Sequence, residues 1–204
     1  MNSTEFDENA PYALKSEEER ARRLAMLDQA HIAPLVSHIN EIENDRGPDC
    51  QIPFFDPCDG GIQAKALFLL ESADNKAIAS GFVSRNNRNQ SAKNMLLLLQ
   101  DAGFERNDTL LWNIVPWYLG GAPKLHEIID ALPYLKSLIA MLADLRVVVL
   151  VGIETSNMAP HMAKFTSVPI ITSHYPSLEN FNSIPAMKEQ VQAHFIEAAN
   201  LVYG

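Results

Sequence analysis

Short apolar runs alternate with helical patterns along most of the chain. Ala66-Leu67-Phe68-Leu69-Leu70 is unbroken, as in a strand buried on both faces, and Arg146 to Gly152 repeats the pattern more clearly. Asp108 to Val115 reads as another buried strand, interrupted by Asn113, and Val168 to Thr172 as a fourth. Helical spacing spans Ser91 to Leu99, Lys124 to Ala143 with a kink or break at Pro133, Glu154 to Lys164, and Pro185 to Leu201. Upstream, Ser16-Glu17-Glu18-Glu19 reads as a capping box opening a helix that Pro34 ends or kinks, and a second helical pattern runs from Leu35 to Ile42. Strands alternating with helices predict an α/β fold of three layers, α/β/α, around a central, mainly parallel four-stranded sheet. Residues 1–15 are expected to form a flexible acidic N-terminus, and residues 16–204 a single domain.

In such sheets ligands bind at the carboxyl ends of the strands. Polar residues collect there. Glu71, Ser72 and Asp74 follow the first strand, and His174-Tyr175-Pro176-Ser177 follows the fourth. Asn113 sits among apolar neighbours, and a buried amide must be paired with the protein or with a ligand. Taken singly these signals are weak, because an Asp or Asn after a strand is often only a helix cap. Their convergence on one sheet edge makes a site. The Phe-Phe pair in the turn-rich stretch from Ile52 to Gly61 marks that stretch as a packed, structural loop.

Charge changes the picture locally. The chain of 204 residues is 47% apolar and carries a formal net charge of -9, which argues mildly against nucleic acid. Yet Asn75 to Gln100 holds four basic residues (Lys76, Arg85, Arg88, Lys93) and no acid, while the first 20 residues hold six acids against two bases. The two cysteines, Cys50 and Cys58, are too few for a disulfide scaffold and read as reduced thiols. The acidic start is unlike a signal peptide, and no apolar run approaches the ~20 residues that cross a bilayer. A soluble, cytoplasmic protein is expected. No glycine-rich phosphate loop and no Gly-x-Ser-x-Gly elbow is present. His31 and His38 lack metal-ligand spacing and read as solvated.

From Ile52 to Phe181 the order of motifs resembles the uracil-DNA glycosylase superfamily. The matching segments are Leu70-Glu71-Ser72-Ala73-Asp74, Ser80-Gly81-Phe82, Leu111-Trp112-Asn113-Ile114-Val115 and His174-Tyr175-Pro176-Ser177. The resemblance implies a monofunctional DNA repair glycosylase for uracil or a related deaminated base, acting by base flipping as a monomer, with no metal or other cofactor. It implies that His174 stabilises charge on the uracil O2, and that Glu71, with Asp74 as second choice, orients water or stabilises the sugar cation beside Ser72. Phe82, preceded by Gly81, would stack on the base, and Asn113 would pair with O4 and N3–H. Ser177, Pro176, Tyr175, Arg85, Arg88 and Lys93 would grip DNA. The chain departs from the best-known members, which carry Asp where Ser72 stands and lack the inserted Tyr175. It also lacks the four cysteines that hold an iron–sulfur cluster in the thermophilic-type members, placing it in a divergent, cluster-free branch. A binding module that has lost catalysis, and an enzyme for a nucleoside or another base with Trp112 and Trp117 reshaping the pocket, are the rival readings.

Overall fold

The computed structural model describes residues 7–177, 181 and 185–204. In chain order the elements are α1 (Glu17–Leu24), α2 (Ala33–Arg46), β1 (Phe54–Phe55), β2 (Ala66–Ala73), α3 (Asn75–Ser80), β3 (Phe82–Val83) and α4 (Gln90–Asp101). Then follow β4 (Thr109–Tyr118), α5 (Leu125–Met141), β5 (Val147–Val151), α6 (Ile153–Ser156), α7 (Ala159–Met162), β6 (Ile170–Ser173) and α8 (Pro185–Tyr203). The four expected strands form one all-parallel sheet in the order β4-β2-β5-β6, flanked by helices as three layers. Parallel pairing needs helical crossovers that cover both faces, so β5 is buried throughout and β2 is buried from Ala66 to Leu69. Phe68 packs on Phe195 of α8 at 5.1 Å and on Phe104 at 5.4 Å between ring centroids.

Several boundaries differ from the pattern, each for a local reason. Pro34 is the second residue of α2 and does not end a helix; in the first turn its missing N–H leaves no bond unmade. Pro133 lies inside an uninterrupted α5. β2 and β4 run on to Ala73 and Tyr118, past a register shift between Ser72 and Ala73, so Trp117-Tyr118 belongs to the strand. The stretch after β5 forms two single turns, α6 and α7, where one helix was expected. His38 is buried, not solvated, since α2 packs on α5; its ring bonds the backbone of Tyr134, and burial pushes its pKa down.

Part of the N-terminal segment, from Ala10 to Leu14, is tied to the domain. Leu14 is buried, its N–H donates to the Asn86 carbonyl (3.2 Å), and Asn86 Nδ2 donates to the Ala10 carbonyl (2.8 Å). Beneath it lies a buried cluster of charges. Asp56 accepts from Arg23, from Ser84 and from Arg106 Nη2 (2.8 Å), while Asp59 pairs with Arg106 Nε (3.1 Å) and Arg85 Nη2 (3.2 Å). Burial opposes the charge on Asp56, but Arg106 and Arg23 beside it hold its carboxyl below the usual range. The loop carrying Phe54-Phe55 is therefore structural, as its composition indicated. Cluster and loop clamp the segment after β3 from below.

Candidate functional site

A pocket of about 360 Å³ opens at the carboxyl edge of the sheet, between the end of β2, the segment from α3 to α4, the inner face of β4 and Tyr175. Glu71, Ser72, Asp74 and Asn113 line it, as the order of motifs implied.

The three residues at the end of β2 have different partners. The Glu71 carboxylate accepts from the Glu154 N–H; burial, with the Glu154 charge adding, pushes its pKa above the ordinary value. Ser72 Oγ donates to the Gly121 carbonyl at 3.2 Å, drawing the Gly120-Gly121 turn over the pocket. Asp74 caps α3: its Oδ1 accepts from the N–H groups of Lys76 (2.9 Å) and Ala77 (2.7 Å). Its Oδ2 accepts from Asn89 Nδ2 at 2.7 Å, which leaves Glu71 the less committed carboxylate.

The polar run after β3 divides its residues between structure and site. Arg85 is 2% exposed and bonded to Asp59 and to Thr109 Oγ1 (2.5 Å), so it is not placed to meet a phosphate. Asn86 accepts from Arg23 and Arg106 in the buried cluster. Asn87 turns into the pocket. Arg88 is exposed, and Asn89 caps α4 through the Ala92 N–H at 2.7 Å. Arg88, Lys15, Arg20 and Lys76 line a cleft of about 190 Å³ on the far side of α3 from the pocket, with no acid among its lining residues. Lys93 is half-buried, its ammonium 5.9 Å from the Tyr12 ring centroid. The basic reversal in the sequence is real, but its exposed part is built with Lys15 and Arg20 from the N-terminal segment.

Asn113 faces Leu70 across the β2–β4 ladder and is 2% exposed, and its Nδ2 has no hydrogen-bond partner among the described residues. Its neighbours alternate: Leu111 and Asn113 line the pocket, while Trp112 stacks on Phe55 with centroids 3.5 Å apart and Trp117 lies under the Arg46 guanidinium. The tryptophans therefore do not reshape the pocket. The same alternation corrects the placement of Phe82. Its side chain is fully buried, 6.4 Å from the Phe54 ring, and Val83 is the β3 residue that lines the pocket; Gly81 supplies the left-handed turn (φ +84°) between α3 and β3. The aromatic rings at the pocket are Tyr118 and Tyr175.

The segment after β6 is tied to α4. Asn94 Nδ2 donates to the Pro176 carbonyl at 2.8 Å, Ser177 N–H donates to the Tyr175 carbonyl at 2.8 Å, and the Tyr175 phenol hydrogen-bonds Ser91. Tyr175 thereby forms a wall of the pocket, and burial raises its pKa. His174 faces the other way, into an adjoining cavity of about 250 Å³ shared with Gly152, Ser173 and His194. The inserted tyrosine thus occupies the wall, and the imidazole stands beside it. Asn87, Asn89 and Tyr118 escaped the sequence pattern; the run of uncharged amides on either side of Arg88, just ahead of a helix, was the available signal.

A family model described as the uracil DNA glycosylase superfamily matches residues 43–198, well over half of the chain and all of the pocket. No curated protein matches the chain.

Proposed function

This chain belongs to the uracil-DNA glycosylase superfamily, and from that premise we propose that it hydrolyses the N-glycosidic bond of uracil, or of a related deaminated base, in DNA. Membership supports a glycosylase-type role in DNA repair, within base excision repair. The observation that carries the finer reading is Asn113, a buried amide that lines a pocket of about 360 Å³ and whose Nδ2 has no hydrogen-bond partner among the described residues, where the edge of a bound base could complete its pairing.

Cleavage develops positive charge on the sugar and negative charge on the departing base. The base leaves the stack and enters the pocket, and edge hydrogen bonds and stacking offset the unpairing. Asn113 reads its edge, and Tyr118 and Tyr175 offer rings at the wall. The Glu71 carboxylate faces the sugar as the negative group that stabilises the cation or holds the attacking water. His174 is assigned to the leaving oxygen, where a donor shielded from water has its largest effect. Since its ring borders the adjoining cavity, this assignment requires the segment from His174 to Ser177 to turn on the bound strand. Lys76 and Arg88 are the proposed phosphate contacts.

The test is alkali-labile cleavage of a labelled oligonucleotide containing one uracil, single- and double-stranded. Cleavage that disappears in Asn113→Ala and in His174→Ala, with both variants folded, is the expected result; activity surviving in both sinks the assignment. The second reading, a module that holds uracil or abasic DNA without turnover, is favoured by the position of His174. Binding of the same oligonucleotide without cleavage selects it.

A further inference from the structure

The N-terminal segment lies outside residues 43–198, which the family model matches, yet it is fastened to the face that carries the pocket. Leu14 N–H donates to the Asn86 carbonyl (3.2 Å), Asn86 Nδ2 donates to the Ala10 carbonyl (2.8 Å), and the Tyr12 phenol donates to Gln90 Oε1 (3.1 Å). Tyr12 has φ 63° and ψ 20°, a left-handed conformation that a bulky side chain seldom adopts. It is the only non-glycine residue at positive φ among the described residues. Such a conformation persists only where the surroundings over-determine it, as the bond to Gln90 does here. The result is a tight 3-10 turn, Ala13–Lys15, that delivers Lys15 to the cleft of about 190 Å³ beside α3.

Four cations meet at that cleft without a counter-charge. Lys15, Lys76 and Arg88 are exposed, and Arg20 is half-buried. Arg20 Nη1 donates to the Leu14 carbonyl (2.9 Å) and the Lys15 carbonyl (3.1 Å), neutral acceptors that hold the turn and leave the positive charge in place. None of the four forms an ion pair among the described residues, although Glu17 and Glu18 stand close by in the first turn of α1. Glu18 accepts from Ser16 Oγ (2.6 Å) instead. Like charges gathered in this way repel one another, in a chain whose net charge is -9 and which has acids to spare. An anionic partner relieves that repulsion. Cleft and pocket also share their walls. Along α3, Asn75 and Ala77 line the pocket while Lys76, Ala79 and Ser80 line the cleft; further on, Asn89 lines the pocket and Arg88 the cleft. A strand whose base enters the pocket therefore carries its adjoining phosphates past the cleft.

We propose that the N-terminal segment is a grip for the DNA backbone, in which Lys15 and Arg20 contact a phosphodiester of the strand that carries the base. The choice of DNA as the partner rests on the glycosylase reading above. The grip itself comes from residues outside the matched region, added to Lys76 and Arg88 within it. Contacts of this kind position the strand and add affinity without any preference among bases. The strained turn at Tyr12 fixes where along the strand the grip falls, since it sets Lys15 relative to the pocket wall at Gln90 and Asn89.

The experiment uses the full chain and labelled oligonucleotides with and without uracil, their affinities read by fluorescence anisotropy across a series of salt concentrations. Arg20 stays in place because it holds the turn; Lys15→Ala, Lys15→Arg and Lys164→Ala are compared with the wild type. Lys15→Ala is expected to bind both oligonucleotides more weakly and to flatten the slope of log affinity against log salt by about 0.9 on duplex and about 0.7 on single strands. Lys15→Arg, which keeps the charge, is expected to retain the wild-type slope. Lys164 is exposed in the connection leading into β6, at the amino edge of the sheet, and its alanine variant makes the same change in net charge without touching the cleft. It is expected to keep the wild-type slope. A Lys15→Ala slope equal to that of the wild type overturns the proposal, as does an equal loss in Lys15→Arg, which would mark a structural effect. Inorganic phosphate that raises the unfolding temperature of the wild type but not of Lys15→Ala, with DNA binding the same in both, assigns the cleft to a free anion and overturns it too. A wild type that neither binds nor cleaves uracil-containing DNA removes the glycosylase reading and this inference together. Cleavage with an indifferent Lys15→Ala removes this inference alone, and binding that depends on Lys15 without cleavage leaves the grip standing while the glycosylase reading falls.

Discussion

The Glu71 carboxylate occupies the space beside Gly152 where a side chain would begin: a β-carbon on that glycine would lie 2.6 Å from Glu71 Oε1. Gly152 has φ +117° and ψ 166°, a conformation nearly confined to glycine, and it links β5 to the turn whose Glu154 N–H holds the carboxylate. Two neighbouring strand ends are thus fitted together through one acid and one missing side chain.

Gly152→Ala should therefore destabilise the fold by about 1–3 kcal/mol and displace Glu71, reducing excision further than its stability loss explains. Gly103→Ala, also at positive φ (+82°) but with open space where the β-carbon would go, is the control and should leave excision intact. Urea midpoints and single-turnover rates on both proteins check this. Equal behaviour of the two variants would refute the contact.

Glu71 also sets a pH dependence. Its pKa is raised in the fold, chiefly by burial, so in the window between the ordinary value of 4.5 and the higher folded value the native state binds the extra proton. Stability from this group is present below 4.5 and is lost as pH rises through the folded pKa. Glu71→Gln, which keeps an acceptor for the Glu154 N–H, should gain stability over the wild type at pH 7 and show no advantage at pH 4. Thermal unfolding at the two pH values reads it. Excision should fall in the same variant, which separates catalytic need from structural benefit.

Asp74 and Asn89 cap successive helices and bond each other at 2.7 Å. Each alanine substitution should cost about 1 kcal/mol of stability from its lost cap. The double variant should cost less than the sum, since either change already breaks the shared bond. A double-mutant cycle in urea measures the coupling, and strict additivity would show that the link is energetically idle.

Asp56 balances Arg23 and Arg106 in the core. Asp56→Ala leaves buried guanidinium groups uncompensated and should destabilise by about 3–5 kcal/mol. Loosening of the segment from Ser84 to Asn89 should follow, visible as faster amide exchange there than in β5. A variant as stable as the wild type would mean the cluster contributes no net stability.

If DNA follows the basic cleft, Lys76→Ala with Arg88→Ala should weaken binding to oligonucleotides whatever their sequence. The slope of log Kd against log salt should drop by up to about two, one for each phosphate no longer neutralised. An unchanged slope places the backbone elsewhere.

Local pattern carried much of this protein. The apolar runs that became β2, β4, β5 and β6, and the capping serine whose Oγ accepts from the Glu19 N–H at 3.2 Å, depend on side-chain period and cap chemistry, which neighbours in sequence express. The approach of Glu71, Ser72, Asp74 and Asn113 was legible as well, because parallel strands bring their carboxyl ends to one edge. What the sequence could not express was the facing of individual side chains where strands are short. Whether Phe82 or Val83 meets the pocket depends on how a two-residue strand pairs with Phe54-Phe55, and whether His174 or Tyr175 does depends on Asn94 and Ser91 of a distant helix. Arg85 and Arg88 look alike in sequence, yet one is buried against Asp59 and the other meets solvent. Composition and period determined the fold and the edge where the site lies. Interactions between residues far apart in sequence decided which polar groups were consumed by the structure and which, like Asn113 Nδ2, have no hydrogen-bond partner among the described residues.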